Sequence, residues 1–176
     1  HAISAQTSTG FSTDNFDLWP FAPQVVLVIL MFTGGMSGST AGGIKTSRIY
    51  ILWKIIVHKL KSIFHPEYIS KLKIGKQEID TKIAMNVLVF FAVVAISAVF
   101  SILIFTFDGI DPDTAISTVA CSLNNIGLAL RAAGPTESFA FLSDFGKLLS
   151  SFLMLLGRLE YFTLILLFFP SFWKRT

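Results

Sequence analysis

The stretch Pro112–Leu130, PDTAISTVACSLNNIGLAL, decides the fold of this chain. It lies between Asp108 and Glu137, two acidic positions that we assign to the same side of a membrane. It is too short and too polar to cross twice, since each crossing takes roughly 20 apolar residues. We predict that a short helix over Asp113–Cys121 enters the membrane and an extended stretch returns. Irregular backbone persists at that depth only inside protein or beside water, so this re-entrant segment indicates a pore or a buried site.

The composition around this stretch is typical of a membrane protein. The chain has 176 residues and is 53% hydrophobic but only 14% charged, whereas soluble domains are about 25% charged. The apolar residues form three blocks, Trp19–Phe32, Ile83–Phe107 and Leu148–Phe169. The second has no charge and is long enough to span a bilayer. We predict an all-α integral membrane fold. Because the chain begins at His1, without Met or a signal peptide, we interpret it as a fragment.

The charges indicate which side of the membrane each segment faces. Nine of the 14 Lys and Arg residues lie between Lys45 and Lys82, and two more, Lys174 and Arg175, close the chain. The positive-inside rule places this basic segment and the C-terminus in the cytoplasm. Eight of the 11 acids lie outside the basic segment, and those in outward loops would concentrate cations. The basic segment is held between spans, which argues against nucleic acid as a partner.

The single cysteine, Cys121, excludes an intrachain disulfide framework. No Cys/His cluster has the spacing of a zinc site. Cys121 lies in a run of small residues, where a packing role is expected. We therefore expect no cofactor in this chain.

The chain resembles itself at an offset of 117 residues, since Gln6–Gly10 matches Leu123–Gly127 (127 − 10 = 117). Each copy is a polar stretch that ends in glycine, and an outer loop and a long apolar helix follow it. Such repeats build the pathways of transporters and channels. We predict one unit over residues 1–60, lacking its first helix, a basic cytoplasmic linker over 61–82, and a complete unit over 83–176.

The two matched stretches have the chemistry of a selectivity filter. Extended backbone around glycine turns carbonyl oxygens toward a dehydrated cation. Neither stretch contains a carboxylate, which argues against a divalent site. An ordinary turn is the alternative. The predicted filter residues are Thr7, Ser8, Thr9 and Gly10 in the first stretch, and Asn124, Asn125, Ile126 and Gly127 in the second.

A glycine-rich stretch, Gly34–Gly43, interrupts an otherwise helical segment. Trp19 to Leu60 would measure about 63 Å as one helix, twice the hydrocarbon thickness. Five glycines in ten residues each weaken a helix by roughly 1 kcal/mol. We therefore predict a helix break in the inner half of the membrane, where a flexible loop could block and open a pathway.

This loop has three other interpretations, and one of them fails. A phosphate-binding loop fails, because Ile44 separates the glycines from Lys45 and the preceding element is a helix. Close helix packing by small residues is a structural alternative. An intramembrane hydrolase would use Ser37, but its base would have to be His1, or His58 or His65 of the basic segment. This hydrolase, and a purely structural membrane module, remain the alternatives to a transport function.

Arg158 lies inside the third apolar block, and the same offset maps the glycine-rich stretch onto Ser151–Glu160. A charge at that depth costs a few kcal/mol, so it should face a cavity or a partner. Arg158 could donate to loop carbonyls and oppose the passage of cations. Side chains at i and i+2 do not face each other, so Glu160 is not its expected partner. A structural arginine that ties helices together is the alternative.

These stretches resemble the membrane subunits of Trk/Ktr potassium transporters, and the pattern is most similar to the bacterial TrkH branch. Gly34–Lys45 resembles the intramembrane gating loop of that family. Thr7–Phe11 resembles its third filter and Ser122–Gly127 its fourth. Leu156–Glu160 and Pro170–Trp173 resemble its final helix and the exit of that helix.

The resemblance implies helix–pore loop–helix repeats of the potassium-channel-like superfamily, with this chain holding most of the C-terminal half of a four-repeat pore. It implies potassium uptake across the bacterial plasma (inner) membrane, with K⁺ as the transported ion and no enzymatic activity. The implied partners are membrane lipid, a second membrane subunit in a homodimer, and a cytoplasmic TrkA/KtrA-like nucleotide-binding ring. The implied gating residues are Gly34, Gly35, Ser37, Gly38, Ser39, Thr40, Gly42, Gly43, Lys45 and Arg158.

Overall fold

A computed structural model describes residues 1–36, 38–39, 42–64, 73–74, 77–78, 80–159, 161 and 163. Over these residues the chain is helical apart from one short hairpin, as predicted. The helices are α1 (Ala2–Gln6), α2 (Phe21–Phe32), α3 (Thr46–Phe64), α4 (Thr81–Phe107), α5 (Pro112–Asn124) and α6 (Asp144–Arg158). The strands are β1 (Lys73–Ile74) and β2 (Gln77–Glu78), and short 3-10 turns cover Phe16–Leu18, Arg131–Ala133 and Phe139–Phe141.

The predicted span Ile83–Phe107 lies within α4, a helix of 27 residues. Lys82–Phe107 is the one helix among the described residues that is long and apolar enough to cross a membrane, and α2 is apolar but shorter. The side chain of Asp80 begins α4 by accepting a hydrogen bond from the backbone N–H of Lys82 at 3.2 Å. One face of the helix is buried against the core, and the other exposes large apolar side chains, as expected where the surroundings are lipid or protein.

Helix α5 is the central element of the fold. We predicted a re-entrant helix over Asp113–Cys121, and the observed helix, Pro112–Asn124, contains it and continues for one further turn. Proline in the first turn fixes the backbone torsion for helix entry. From Thr114 onward, only Ile116 of α5 is not buried, because α2, α4 and α6 pack around it. The re-entrant backbone is therefore enclosed by protein, as a membrane requires.

The predicted helix break is confirmed, since α2 ends at Phe32 and α3 begins at Thr46. The ends of the intervening loop are joined to each other. The N–H of Gly34 donates to the carbonyl of Ile44 at 2.9 Å, and the N–H of Thr46 donates to the carbonyl of Gly35 at 3.1 Å. The hydroxyl of Thr46 lies 3.1 Å from both the Gly34 and the Gly35 carbonyl. The loop therefore leaves and re-enters the helical path at one closed stem.

The segment predicted as a basic linker contains structure that the sequence did not indicate. Helix α3 continues to Phe64, and β1 and β2 pair antiparallel, with Lys73 opposite Glu78 and Ile74 opposite Gln77. At the other end of the chain, α6 begins at Asp144, four residues before the predicted apolar block. The predicted helix exit at Pro170–Trp173 lies outside the described residues.

Gln24 of α2 fixes the outer loop that precedes this helix. Its side chain is 4% exposed, and its amide nitrogen lies 3.2, 2.9 and 3.0 Å from the carbonyl oxygens of Phe16, Asp17 and Trp19, respectively. Buried carbonyl groups need such a donor, because a polar group without a partner is costly away from water.

We expect Gln24→Met, which keeps the side-chain length but removes the donor, to lower stability by about 1–3 kcal/mol, because it leaves buried carbonyls unsatisfied. Thermal unfolding of the full-length protein in detergent measures this change. Gln6→Met on exposed α1 is the matched control. Equal melting temperatures for the two variants would contradict this role of Gln24.

Candidate functional site

The first candidate stretch is a turn that ends α1 with two backbone hydrogen bonds. The N–H of Ser8 donates to the carbonyl of Ala5 at 3.4 Å, and the N–H of Thr9 donates to the carbonyl of Ser4 at 3.0 Å. Ser8 has a left-handed backbone, with φ of 55°, and Gly10 has φ of 77°. This arrangement is the Schellman motif, which satisfies carbonyl groups at the end of a helix.

The second candidate stretch ends α5 with the same motif. The N–H of Asn125 donates to the carbonyl of Ser122 at 3.3 Å, and the N–H of Ile126 donates to the carbonyl of Cys121 at 3.2 Å. Asn125 has φ of 52° and Gly127 has φ of 84°. Each of these residues lies 117 positions after its counterpart in the first turn. The repeat found in the sequence is therefore also a repeat of backbone conformation.

The hydrogen bonds of the two turns determine where their carbonyl groups point. In a trans peptide, the carbonyl of one residue and the N–H of the next point in opposite directions. The N–H groups of Thr9 and Ile126 point back toward their helices, so the carbonyls of Ser8 and Asn125 point away from them. The carbonyl oxygen of Ile126 lies against Gly10 of the first turn.

The two turns meet at Gly10. A Cβ atom at this position would overlap the carbonyl oxygen of Ile126 and would lie 3.9 Å from the Cα of Gly127. Glycine is required here twice over, because its φ is also in the left-handed region. The structure therefore brings two stretches that are more than a hundred residues apart into direct backbone contact.

The two threonine side chains of the first stretch form hydrogen bonds to each other and to the end of α1. The hydroxyl of Thr7 lies 2.7 Å from the carbonyl of Ile3 and 2.6 Å from the hydroxyl of Thr9. Both threonine side chains are exposed in this chain. They offer additional oxygen atoms beside the backbone carbonyls.

In the second stretch, the structure differs from the predicted boundary. We placed Asn124 in the extended segment, but it is the last residue of α5, because the Schellman motif closes one residue later, at Asn125. The amide of Asn124 is buried and donates to the carbonyl of Ala120 at 2.7 Å. The amide of Asn125 donates to the carbonyl of Met154 at 2.9 Å, which ties the turn to α6.

The glycine-rich loop packs directly against the end of α5. A Cβ at Gly42 would overlap the backbone carbonyl oxygen of Asn124, and a Cβ at Gly43 would overlap the side-chain oxygen of the same asparagine. Gly43 also has φ of 81°, so a side chain is disfavoured there by strain as well as by space. The loop therefore lies against the residue that immediately precedes the second turn.

A third glycine brings α6 to the same point. A Cβ at Gly157 would overlap the carbonyl oxygen of Leu123 and would lie 3.1 Å from the amide nitrogen of Asn125. A small cavity of about 20 Å³ remains between the loop, α5 and α6, which is room for about one water. Arg48 reaches the cavity wall and places its guanidinium 4.2 Å from the ring centre of Phe90.

Sequence reasoning missed Arg48, Phe90 and Tyr161, which also line this cavity. Tyr161 lies 3.0 Å, hydroxyl to hydroxyl, from Ser97, and Ser97 is one of the few polar residues of the predicted span. That polar position in an apolar helix is the one sequence signal that could have pointed to the contact.

The remaining predicted gating residues lie in or beside the loop. Gly34 is buried in the stem, Gly35 accepts the hydrogen bond from Thr46, and Gly38 has open space around it. The N–H of Ser39 donates to the carbonyl of Met36 at 2.8 Å, and Lys45 immediately precedes α3. Arg158 is the last residue of α6 and is exposed in this chain. Ser37 and Thr40 lie outside the described residues.

No group of three His, Cys, Asp or Glu side chains forms a metal site within the described part of the chain. The ligand atoms offered at the two turns are therefore backbone carbonyl and hydroxyl oxygens. Such oxygens, unlike imidazole or thiolate groups, suit hard cations.

Comparison with known proteins gives a consistent result. The family model described as TrkH, cation transport protein, matches residues 1–175. The chain is 36% identical over 172 residues to the Trk system potassium uptake protein TrkH of Salmonella typhimurium, covering 98% of this chain and 35% of the relative. It is 37% identical over 173 residues to the protein of the same name from Halomonas elongata, covering 98% of this chain and 36% of the relative.

A solved structure resembles the fold over the same region. It is the crystal structure of the potassium transporter TrkH from Vibrio parahaemolyticus, with a TM-score of 0.86 and 35% sequence identity. The match covers 97% of this chain and 36% of the other. The chain therefore spans about a third of the length of these relatives.

We expect Gly157→Ala to destabilise the contact between α5 and α6, because the added methyl group would displace the Leu123 carbonyl. Overpacking of this kind costs about 1–3 kcal/mol. Thermal unfolding of the full-length protein reports the change. Gly38→Ala, which adds a methyl group in open space, is the control. A Gly157→Ala protein as stable as this control would mean that the backbones are not in close contact.

Proposed function

The chain belongs to the TrkH family of cation transport proteins, and from this premise we propose that it forms part of a potassium-selective pore. The pore takes potassium up across the bacterial plasma membrane, with K⁺ as its transported ion. The names of the relatives, potassium uptake proteins at 36–37% identity, support the choice of ion. The other part of the pore comes from two further repeats of the whole protein, outside this chain.

The observation that carries the proposal is the meeting of the two matched turns at Gly10 and Ile126. Their carbonyl groups point away from the helices that precede them, as a filter requires if carbonyl oxygens are to replace the hydration shell of an ion. The C-terminal end of α5 points at the same place, and the partial negative charge of a helix C-terminus favours a cation. The filter residues are Thr7–Gly10 and, with Asn124 at its inner end, Asn125–Gly127.

Gly34–Gly43, with Lys45 at its exit, is the gate. Its support is the contact of Gly42 and Gly43 with Asn124, which places loop backbone at the inner end of the second filter stretch. The closed stem at Thr33–Gly35 and Ile44–Thr46 fixes where the loop starts and ends. A loop held at both ends but packed by glycines at its tip can withdraw without unfolding its flanking helices.

Arg158 holds the loop closed through hydrogen bonds to loop carbonyls, and its charge opposes cation passage. Support comes from Gly157, its neighbour in sequence, which lies against the Leu123 carbonyl and lines the same small cavity as Gly43 of the loop. The interpretation of Arg158 as a purely structural residue predicts a different outcome when it is replaced, as described below.

The arrangement in the membrane follows the charge pattern. The basic segment from Lys45 to Lys82 and the C-terminus face the cytoplasm, and the filter opens toward the acidic outer loops. The membrane subunit forms a homodimer, and a cytoplasmic TrkA/KtrA-like ring of nucleotide-binding subunits moves the gate through the inner ends of its helices. Membrane lipid surrounds the assembly.

The hydrolase alternative receives no support from the family, since the relatives named above are potassium uptake proteins. Its nucleophile, Ser37, lies outside the described residues. A purely structural module is also a weaker explanation. Packing alone does not require two turns of the same conformation to be in contact, with the Ile126 carbonyl of one turn against Gly10 of the other.

We expect Gly10→Ala and Gly127→Ser in the full-length protein to lower the preference for potassium over sodium. Both replace a glycine of positive φ, and the added side chains shift the carbonyl groups that line the filter. Paired rubidium and sodium fluxes into reconstituted vesicles measure the preference.

Gly109→Ala is the matched control for this experiment. Gly109 has φ of 84° but open space around it, so the variant carries the same backbone strain without contact with a filter. Unchanged ion discrimination in Gly10→Ala and Gly127→Ser, with folded protein, would count against the filter assignment.

We expect Gly43→Ala to raise cation flux, because the methyl group cannot fit beside Asn124 when the loop is closed. Overpacking of about 1–3 kcal/mol corresponds to a shift of roughly 5- to 150-fold toward the open state. Arg158→Ala, or a shortened Gly38–Gly42 loop, should act in the same direction and weaken dependence on the cytoplasmic ring.

Flux per protein in vesicles, with and without the cytoplasmic ring, is the measurement for these gate variants. Gly38→Ala, in open space within the same loop, should behave like the parent. Folded Gly43→Ala and Arg158→Ala proteins with unchanged or reduced flux would mean that the loop is a packing break and that Arg158 is structural.

A further inference from the structure

A second cavity lies on the outer side of the molecule, away from the filter and the gate. It has a volume of about 200 Å³ and lies between α2 and α5, many times the room needed for one water. Its walls are apolar, formed by Val25, Val28, Ile29, Ile116 and Leu130 among others. We propose that this groove binds one acyl chain of an outer-leaflet phospholipid with a phosphoethanolamine headgroup.

The length and depth of the groove fit a single leaflet. Its lining on α2 runs from Phe21, the first residue of the helix, to Ile29, a rise of about 12 Å at 1.5 Å per residue. Half of a hydrocarbon core is about 15 Å. Asp113, which follows the helix start at Pro112, also lines the groove, so that this end of the groove lies at the outer surface in the orientation proposed above.

Between its apolar walls, the groove offers no free hydrogen-bond donor to a water-soluble ligand among the described residues. Gln24 is its one uncharged polar side chain, and the amide nitrogen of this residue already donates to the carbonyls of Phe16, Asp17 and Trp19. The exposed α2 residues Phe21 and Ile29, 72% and 57% exposed, extend the apolar wall outward. An apolar surface at this depth fits a hydrocarbon chain.

The mouth of the groove carries one charge of each sign. The guanidinium of Arg131 lies 4.0 Å from the carboxylate of Asp113, and their side chains are 42% and 61% exposed. A contact this long and exposed contributes little by itself. A zwitterionic headgroup can satisfy both charges at once, because its phosphate accepts from Arg131 and its ammonium donates to Asp113.

The position of Arg131 is fixed by the backbone. Its φ of 59° is unusual for a residue with a side chain, and its N–H donates to a carboxylate oxygen of Asp17 at 2.8 Å. The carboxylate of Asp17 also lies against Gly134, where a Cβ would overlap it. This strained turn holds the guanidinium at the groove, on a side of the membrane where most charges are acidic.

A lipid in this groove would join the two repeats on their outer side, since α2 follows the first turn and α5 precedes the second. The proposal rests on the membrane location of the family and on the proposed orientation, which puts the start of α2 and of α5 outside, and not on the identity of the transported ion. It therefore stands or fails independently of the filter.

The test is native mass spectrometry of the full-length protein, purified in mild detergent and supplied with equal amounts of phosphatidylethanolamine and phosphatidylglycerol. The parent should retain phosphatidylethanolamine preferentially. Arg131→Ala should lower its affinity roughly tenfold, as expected for loss of a charge-assisted hydrogen bond. Asp113→Asn should shift retention toward phosphatidylglycerol, because the partner of the ammonium group is removed while that of the phosphate remains.

Two further variants complete the design. Val25→Trp fills the groove from the exposed face of α2 and should exclude the lipid while leaving both charges in place. Lys147→Ala is the matched control, since Lys147 is also an exposed basic residue paired with an acid, Asp144, at 3.4 Å, but does not line this groove.

Retention lost in Arg131→Ala and Val25→Trp but kept in Lys147→Ala would support the proposal. It would be overturned if the folded parent retained no phosphatidylethanolamine, or if folded Val25→Trp retained as much as the parent. A parent that retains no lipid and is destabilised by Val25→Trp would also overturn the proposal, because another part of the protein would then cover the groove.

Discussion

A peptide group that leaves a helix at membrane depth must find a partner in protein or in water, because the hydrocarbon offers none. In this chain, α1 and α5 both end with the same pair of backbone hydrogen bonds at a left-handed residue, and the proposed function puts both ends at such a depth. These hydrogen bonds use N–H groups of each turn, so that the carbonyls of Ser8 and Asn125 point away from the preceding helix. The rest of the fold must then provide suitable surroundings for those carbonyl groups.

Within this chain, glycine residues leave the space that these carbonyl groups need. The Ile126 carbonyl approaches Gly10 closely, and the Leu123 carbonyl approaches Gly157 closely. The end of α5 lies in the same way against Gly42 and Gly43. Each contact is backbone against backbone or against Asn124, where any side chain would overlap. The two turns, the glycine-rich loop and α6 consequently meet around Leu123–Ile126, so that under the proposed function movement of the loop would change the support of the second turn directly.

The sequence predicted the elements that depend on local chemistry. Pro112 marked the start of α5, and the five glycines marked the break between α2 and α3. The end of α5 was less accessible, because asparagine serves equally well as a helix residue or as a left-handed cap, and so Asn124 was placed in the wrong element. The contacts of Gly42 and Gly43 with Asn124, and of Arg48 with Phe90, join residues far apart in sequence. Periodicity and composition contain no information about such pairs, and the strained backbone of Arg131 could not be anticipated for the same reason.

The central claim is that the two turns present their carbonyl groups to one dehydrated cation. Anomalous diffraction from crystals of the full-length protein grown with rubidium tests it most directly, because rubidium scatters strongly and resembles potassium in size and charge. The account predicts an anomalous peak between the two turns, within bonding distance of backbone carbonyl oxygens of Ser8–Gly10 and Asn125–Gly127. Occupied rubidium sites elsewhere, with none between these turns, would contradict it.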